Sequence, residues 1–296
     1  MLTIFPILCN SQEYVDIFTI NYRQSEDTSF ENTNKNTTIE SFQTEVIFPI
    51  VLKSKNVLIT GINYSSSSLQ LFPSTNYNHF YTTRLTAGIS INHSEKWKGN
   101  YILLPKIASD YKNISHNDFY IGGLLEWKYK KNKNLNYRFG LYASTEAFGI
   151  FTTPIFGLYY TSPNERLEIN LSLPIVTDIN YRIQKNITIG FDYIGLGDSY
   201  KFMDENKLSE YYTQNNSLEF STYIQYSIFN KSVLLRLKSG YSTNKFEVYS
   251  IDEKNNLALS SFRFGDYRTQ LNSNLTSNIF FKVEAKYRFH ITSKKH

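Results

Sequence analysis

Every second residue of the stretch "NIFFKVEAKYRFHI" (278–291) belongs to one of two chemically distinct sets. Ile279, Phe281, Val283, Ala285, Tyr287, Phe289 and Ile291 carry no charge. Phe280, Lys282, Glu284, Lys286, Arg288 and His290 carry a charged or titratable group at every position but the first. Successive side chains of a strand point to opposite faces, so this pattern predicts a strand with one apolar and one ionic face. The alternation holds for about twice the usual 5 or 6 residues of a globular strand.

The same alternation recurs along the chain. It marks "VDIFTINYR" (15–23), "TIESFQTEVIFPI" (38–50), "NVLITGINYS" (56–65), "FYTTRLTAGISIN" (80–92), "NYILLPKIAS" (100–109), "DFYIGGLLEWKYK" (118–130) and "LNYRFGLYAST" (135–145). It continues through "TPIFGLYY" (153–160), "LEINLSLP" (167–174), "TDINYRI" (177–183), "ITIGFDYIGLGDSYKF" (187–202), "SLEFSTYIQYS" (217–227) and "SVLLRLKSGYSTNKFEVYS" (232–250). Helical periodicity is nearly absent, and the prediction is all-β. The connections alternate too. Short, charged or Asn-rich links ("LKSKN", "HSEKWK", "KKNKN", "TSPNER", "QKN", "FNKS") are separated by longer polar ones. The long set comprises 24–36, 66–78, 110–117, the segment around 146–152, the stretch near 203–216 and the segment 251–277.

Strand, short turn, strand, long loop is the grammar of an up-and-down antiparallel transmembrane β-barrel, here of about 14 strands, with 12 also compatible. Hydrocarbon offers backbone groups no partners, so a sheet can cross a bilayer only by closing on itself. Such a barrel places its apolar rows on lipid and its ionic rows around the lumen. Glu126, Lys128, Arg236, Lys238, Lys282, Glu284, Lys286 and Arg288 are therefore the lumen-facing candidates. Trp127, Tyr129, Tyr287 and Phe289, just ahead of a charged turn or terminus, are the membrane-interface aromatics. Pro154 and Pro174 are the weak points, because proline cannot donate to a ladder. A lipocalin-like soluble barrel or sandwich would show the same alternation with its faces inverted. Strand length and the aromatics near short turns favour the membrane version.

The chain has 296 residues, 16% of them aromatic and 19% charged, with a formal net charge of +5. Acids and bases are interspersed, which gives no case for nucleic acid. No apolar run reaches the roughly 18 to 20 residues of a spanning helix. The single cysteine, Cys9, excludes an intramolecular disulfide and Cys-based metal sites. It lies in "MLTIFPILCNSQ" (1–12), which reads as a signal-peptide remnant without its basic leader, with processing expected between Cys9 and Glu13. The barrel domain then covers 13–296.

"SFQTEVIFPIVLKSKNVLITGINYS", "TAGISINHSEKWKGNYILLPKIASD", "LEINLSLPIVTDINYRIQKNITIGFDYIG" and the closing "KVEAKYRF" resemble the outer-membrane β-barrel proteins of Bacteroidetes-type bacteria grouped as domain-of-unknown-function family 6268. The resemblance covers about Val15 to Phe289. It implies a fold and an outer-membrane location, with lipid and the barrel-assembly machinery as partners, and it hands over no functional residues. One departure is the tail: such barrels usually finish on an aromatic residue, whereas Phe289 is followed by "HITSKKH".

Catalysis is not expected. The five histidines, His79, His93, His116, His290 and His296, fall in loops, turns, a strand end and the tail. His93 beside Ser94 in a tight turn is no catalytic pair, and no "GxSxG" elbow is present. Glu26, Asp27 and Glu31 lack calcium-loop spacing, so no metal is expected. The three glycines of "GFDYIGLGDSY" precede no helix and bind no phosphate; they relieve crowding on the lumen side of a strand. No cofactor is implied. The sequence thus points to an outer-membrane barrel passing small solutes, with 251–277 long enough to fold into its mouth. The alternatives are a structural or adhesion barrel with an occluded interior, an outer-membrane lipid hydrolase, or a soluble β-barrel binding protein.

Overall fold

A computed structural model describes residues 14–54, 56–203, 209–255, 257–260 and 262–290. The expected signal remnant 1–12, Cys9 and the terminal stretch 291–296 with His296 lie outside the described residues.

Fourteen strands form the wall: β1 (Tyr14–Ser25), β2 (Glu40–Val51), β3 (Val57–Leu69), β4 (Asn78–Asn92), β5 (Trp97–Ser109), β6 (Phe119–Lys130) and β7 (Leu135–Glu146). They continue with β8 (Gly149–Thr161), β9 (Leu167–Leu173), β10 (Val176–Arg182), β11 (Ile187–Gly195), β12 (Leu218–Ile228), β13 (Val233–Ser242) and β14 (Asn278–His290). Each pairs antiparallel with its neighbours in chain order, and β14 returns to β1, with Tyr14 opposite His290 and Gln24 opposite Phe281. The barrel is closed, with fourteen strands, and every alternating segment of the sequence contributes one of them. The six short turns and both ends of the described chain lie at one end, here the turn end.

At the opposite, loop end the structure departs from the sequence expectation in three places. The segment around 146–152 is no loop: β7 and β8 are separated by Ala147 and Phe148 alone, and Gly149, at φ +121°, takes a backbone conformation that a side chain disfavours. The stretch 187–202 is two strands, broken at Leu196 and Gly197. The stretch 232–250 is likewise two, broken at residues 243–245. Alternation alone cannot see such breaks, because the pattern resumes beyond each one. Of the two prolines, Pro154 sits within β8 opposite Leu141, whereas Pro174 ends β9 in a two-residue turn to β10. His79 belongs to β4, not to a loop, and faces outward at its loop end.

Three short strands build a cap over the loop end. Asp198–Met203 pairs with Glu210–Asn215, which pairs with Phe246–Ser250. Asp198–Met203 leaves the wall after β11 and touches β5, six strands away in a ring of fourteen, where Lys201 lies opposite Ser109 and the Asp110 amide donates to the Lys201 carbonyl at 3.0 Å. It therefore crosses the mouth. Tyr200 and Phe202 pack on Phe80 of β4, with ring centroids 5.3 and 5.6 Å apart, so the cap carries its own apolar core. The segment 251–277 is fastened to the other two cap strands through Arg268. Its guanidinium donates to the Tyr212 hydroxyl at 2.8 Å and lies 4.0 Å from the Tyr249 ring. Burial pushes the Tyr212 phenol up to about 12, which keeps it protonated to donate to the Glu253 carbonyl at 2.6 Å.

Candidate functional site: the barrel interior and its cap

Strand alternation sorts the wall into two chemistries. The outward rows are apolar or hydroxylic apart from Gln24, Glu40 and His79, all at the loop end, and Glu40 is the one Asp, Glu, Lys or Arg among their described residues. Phe48, Leu103, Phe156, Ile224, Leu237 and Phe281 are among the many large apolar side chains exposed on them. Trp127, Tyr129, Tyr287 and Phe289 all lie on this outer face at the turn end. The Trp97 and Tyr129 rings are 5.0 Å apart, and those of Tyr101 and Trp127 are 6.5 Å apart. A second set, including Tyr22, Tyr193, Phe220 and Tyr241, lies near the loop end.

The inward rows are polar and buried. Glu126 and Lys128 pair at 3.3 Å on β6, and Asn100 of β5 donates to Glu126 at 2.7 Å. Lys282 of β14 meets Glu219 of β12 at 3.0 Å, and Glu219 meets Arg23 of β1 at 2.9 Å. Lys238 bridges Asp192 (2.6 Å) and Glu284 (3.3 Å), and Arg236 bridges Asp178 (2.9 Å) and Glu284 (3.5 Å). Lys286 adds a further contact to Glu284 at 3.4 Å, and Arg288 holds Asp16 at 2.6 Å near the turn end. The eight charged candidates thus fall into the Glu126–Lys128 pair and three neighbouring clusters around β13 and β14: Lys282 with Glu219 and Arg23; Arg236, Lys238 and Lys286 about Glu284; and Arg288 with Asp16. The partners Arg23, Asp178, Asp192 and Glu219 are inward positions of their own strands, so the alternation rule identifies them once applied to every strand.

One interior group was not legible in the sequence. Lys106 of β5 donates to Glu146 of β7 and to Asp198 of the crossing strand, at 2.8 and 3.0 Å. The Ser199 hydroxyl also donates to Glu146, and the Ala147 amide donates to Ser199. Further out, Lys201 lies 3.4 Å from both Asp118 and Glu210. These contacts fasten the cap to the wall on the far side of the mouth.

Below the cap a cavity of about 120 Å³ opens among Asn21, Gln43, Glu45, Asn170, Asp178, Asp192 and the β13–β14 cations. It is lined by donors and acceptors of both signs. Such a lining suits small polar or ionic solutes rather than apolar ones. The interior packing also explains Gly190: a Cβ there would clash with the Tyr223 ring. That ring lies 4.3 Å from the Arg236 guanidinium and its hydroxyl donates to Asp178 at 2.5 Å. Gly190→Val is expected to dislodge the ring and cost about 1–3 kcal/mol by overpacking, read as a lower denaturant midpoint. A midpoint equal to wild type would show that the ring position is not fixed by the glycine.

Among the described residues, no group of three or more His, Cys, Asp or Glu side chains is placed to hold a metal ion. His93 contacts the Tyr101 hydroxyl at 2.9 Å and His290 the Lys231 carbonyl at 3.4 Å. His116 begins a short 3-10 helix before β6.

The family model for the domain of unknown function DUF6268 matches residues 8–288. The chain belongs to this family. No curated protein matches it. Among solved structures, the chain is similar to the NanC porin at 9% identity, with 90% of this chain and 98% of that one covered and a TM-score of 0.36. The KdgM porin in complex with disordered oligogalacturonate overlays at 10% identity, 92% and 99% coverage and a TM-score of 0.35. The TodX monoaromatic hydrocarbon channel, in its deltaS2 mutant, does so at 11%, 93%, 90% and 0.40.

Proposed function

We propose that this DUF6268 protein is an outer-membrane β-barrel that passes small polar or ionic solutes when its cap moves aside, and that it is closed in the conformation described above. The observation that carries the membrane part is the near absence of charge from fourteen outward rows whose inward counterparts are ionic. On β8, Ile150 to Tyr160 face out without a charge. Ten residues at roughly 3.3 Å each, tilted about 45°, cover about 23 Å of height, close to the ~25 Å apolar band of such barrels. The tilted aromatics at both ends of this band suit the two interfaces. The turn end, with the short links, then faces the periplasm, and insertion calls on the barrel-assembly machinery.

The passage part rests on the mixed-charge interior and its cavity. The reading is non-catalytic: the interior charges described above are paired with one another and serve to line a path. The same pairing also favours a second reading, a sealed scaffold that holds the capping strands at the cell surface. Planar-bilayer recording separates the two. Wild-type protein is expected to show brief, infrequent openings in simple salts. A variant with 198–215 replaced by a short flexible link is expected to conduct steadily. Silence from both proteins, each verified as folded by heat-modifiable migration, would leave the sealed scaffold.

A further inference from the structure

The barrel wall is incomplete on one side. Strands β9 and β10 have seven residues each, against thirteen in β8, so β8 loses its β9 partner above Phe156. The vacated edge is taken by a flap from the 251–277 segment. Leu257–Leu259 pairs parallel with Ile150–Thr152, and Phe262–Phe264 pairs back on Leu257–Leu259. The flap keeps the wall's two-faced logic. Ala258 sits opposite inward Phe151 and is buried, while Leu257, Phe262 and Phe264 are exposed on the side of outward Ile150.

Between the flap and the β9–β10 turn lies a cavity of about 300 Å³. Its lining includes inward-facing Phe151 and Thr153 together with outward-facing Tyr193 and Leu218, so it passes through the wall. Pro174 and Ile175 form its floor. Gln214, Asn216, Thr243 and Ser260 supply uncharged hydrogen-bonding groups, beside Lys245, whose ammonium lies 3.6 Å from Glu247.

We propose that this window binds a single-chain amphiphile drawn from the bilayer, its apolar chain between Ile175, Tyr193 and Phe151 and its small polar head toward Gln214, Asn216 and Ser260. The argument for this occupant is continuity. The flap's exposed Leu257, Phe262 and Phe264 extend the barrel's charge-free outer surface up to the rim of the opening, so an apolar chain reaches it without crossing water. The polar groups at its other end are uncharged apart from Lys245, itself near Glu247, which suits a hydroxyl or a single carboxylate better than a phosphate. The inference rests on the membrane reading above and adds to it a lateral site for a ligand class that the polar interior does not suit.

Photolabelling tests it. The protein is reconstituted into phospholipid nanodiscs with dodecanoic acid bearing a chain diazirine, and labelled residues are located by mass spectrometry. Label is expected at Phe151, Ile175 or Tyr193 at least fivefold above that at the belt residues Ile224, Leu237 and Phe281. Excess unlabelled dodecanoic acid should remove the window label at least fivefold without changing the belt label, since partition into lipid does not saturate. Ala258→Trp, which fills the opening, should have the same effect as competitor. Belt labelling with no saturable window label would overturn the site while leaving the membrane reading in place. Absence of label at both would overturn the membrane reading and the site with it.

Discussion

Replacing Lys106 by methionine is expected to open the barrel. The ammonium sits between Glu146 of the wall and Asp198 of the crossing strand, at 2.8 and 3.0 Å, in a buried site. Without it two carboxylates face each other out of water. Removing one partner of such a buried group costs about 3–5 kcal/mol, because the charge that remains is uncompensated. The wall cannot yield, since β5 and β7 are hydrogen-bonded on both sides along most of their length. The crossing strand can, since apart from side-chain contacts of Ser199 to Phe202 it meets β5 at one backbone bridge. A penalty of ~3 kcal/mol shifts a closed-to-open ratio about a hundredfold, at 1.4 kcal/mol per factor of ten. Single-channel recording of Lys106→Met should therefore show a much larger open fraction than wild type. The triple variant Lys106→Met, Glu146→Gln, Asp198→Asn, which removes the three charges of this cluster together, should close again. An open fraction unchanged in Lys106→Met would remove the charge cluster from any role in gating.

The second large effect concerns the outer face. Leu237 of β13 is 66% exposed and lies opposite Ile224 of β12, itself 61% exposed, near the middle of both strands. In a bilayer, Leu237→Arg is expected to cost about 2–4 kcal/mol, while Tyr287→Arg at the turn end should cost only about 0–1 kcal/mol. On a protein surface bathed in water both changes would fall within about 0.5 kcal/mol of zero. Equilibrium unfolding in phospholipid vesicles measures the two. Equal small effects at both depths would mean that no hydrocarbon touches Leu237.

How far the sequence reached is clearest at particular elements. In β14 the ionic row Lys282–Glu284–Lys286–Arg288 and the apolar row between them are read directly from spacing, because a strand has a period of two and admits no third face. All fourteen wall strands were legible for the same reason. The 146–152 segment, "EAFGIFT", was misread because its apolar run breaks the alternation, while a Gly at positive φ allows β7 and β8 to meet across two residues. Length made 251–277 the candidate for the mouth, and the sequence did not single out Asp198–Met203, which crosses it. A strand buried on both sides, carrying Tyr200 and Phe202 toward Phe80, has no solvent face to give it a readable polar register.

The sequence by itself determined the two-faced wall, the closure into a barrel and the positions of the charges that line it, since all three follow from local alternation and from the need to pair every backbone group. Only the tertiary structure decided which charges meet, what covers the mouth, and where shortened β9 and β10 leave an opening in the wall. Those outcomes depend on contacts between residues far apart in the chain, such as Lys106 with Asp198 or Phe151 with Ala258, and no local spacing encodes the distance between two segments once the chain has closed on itself.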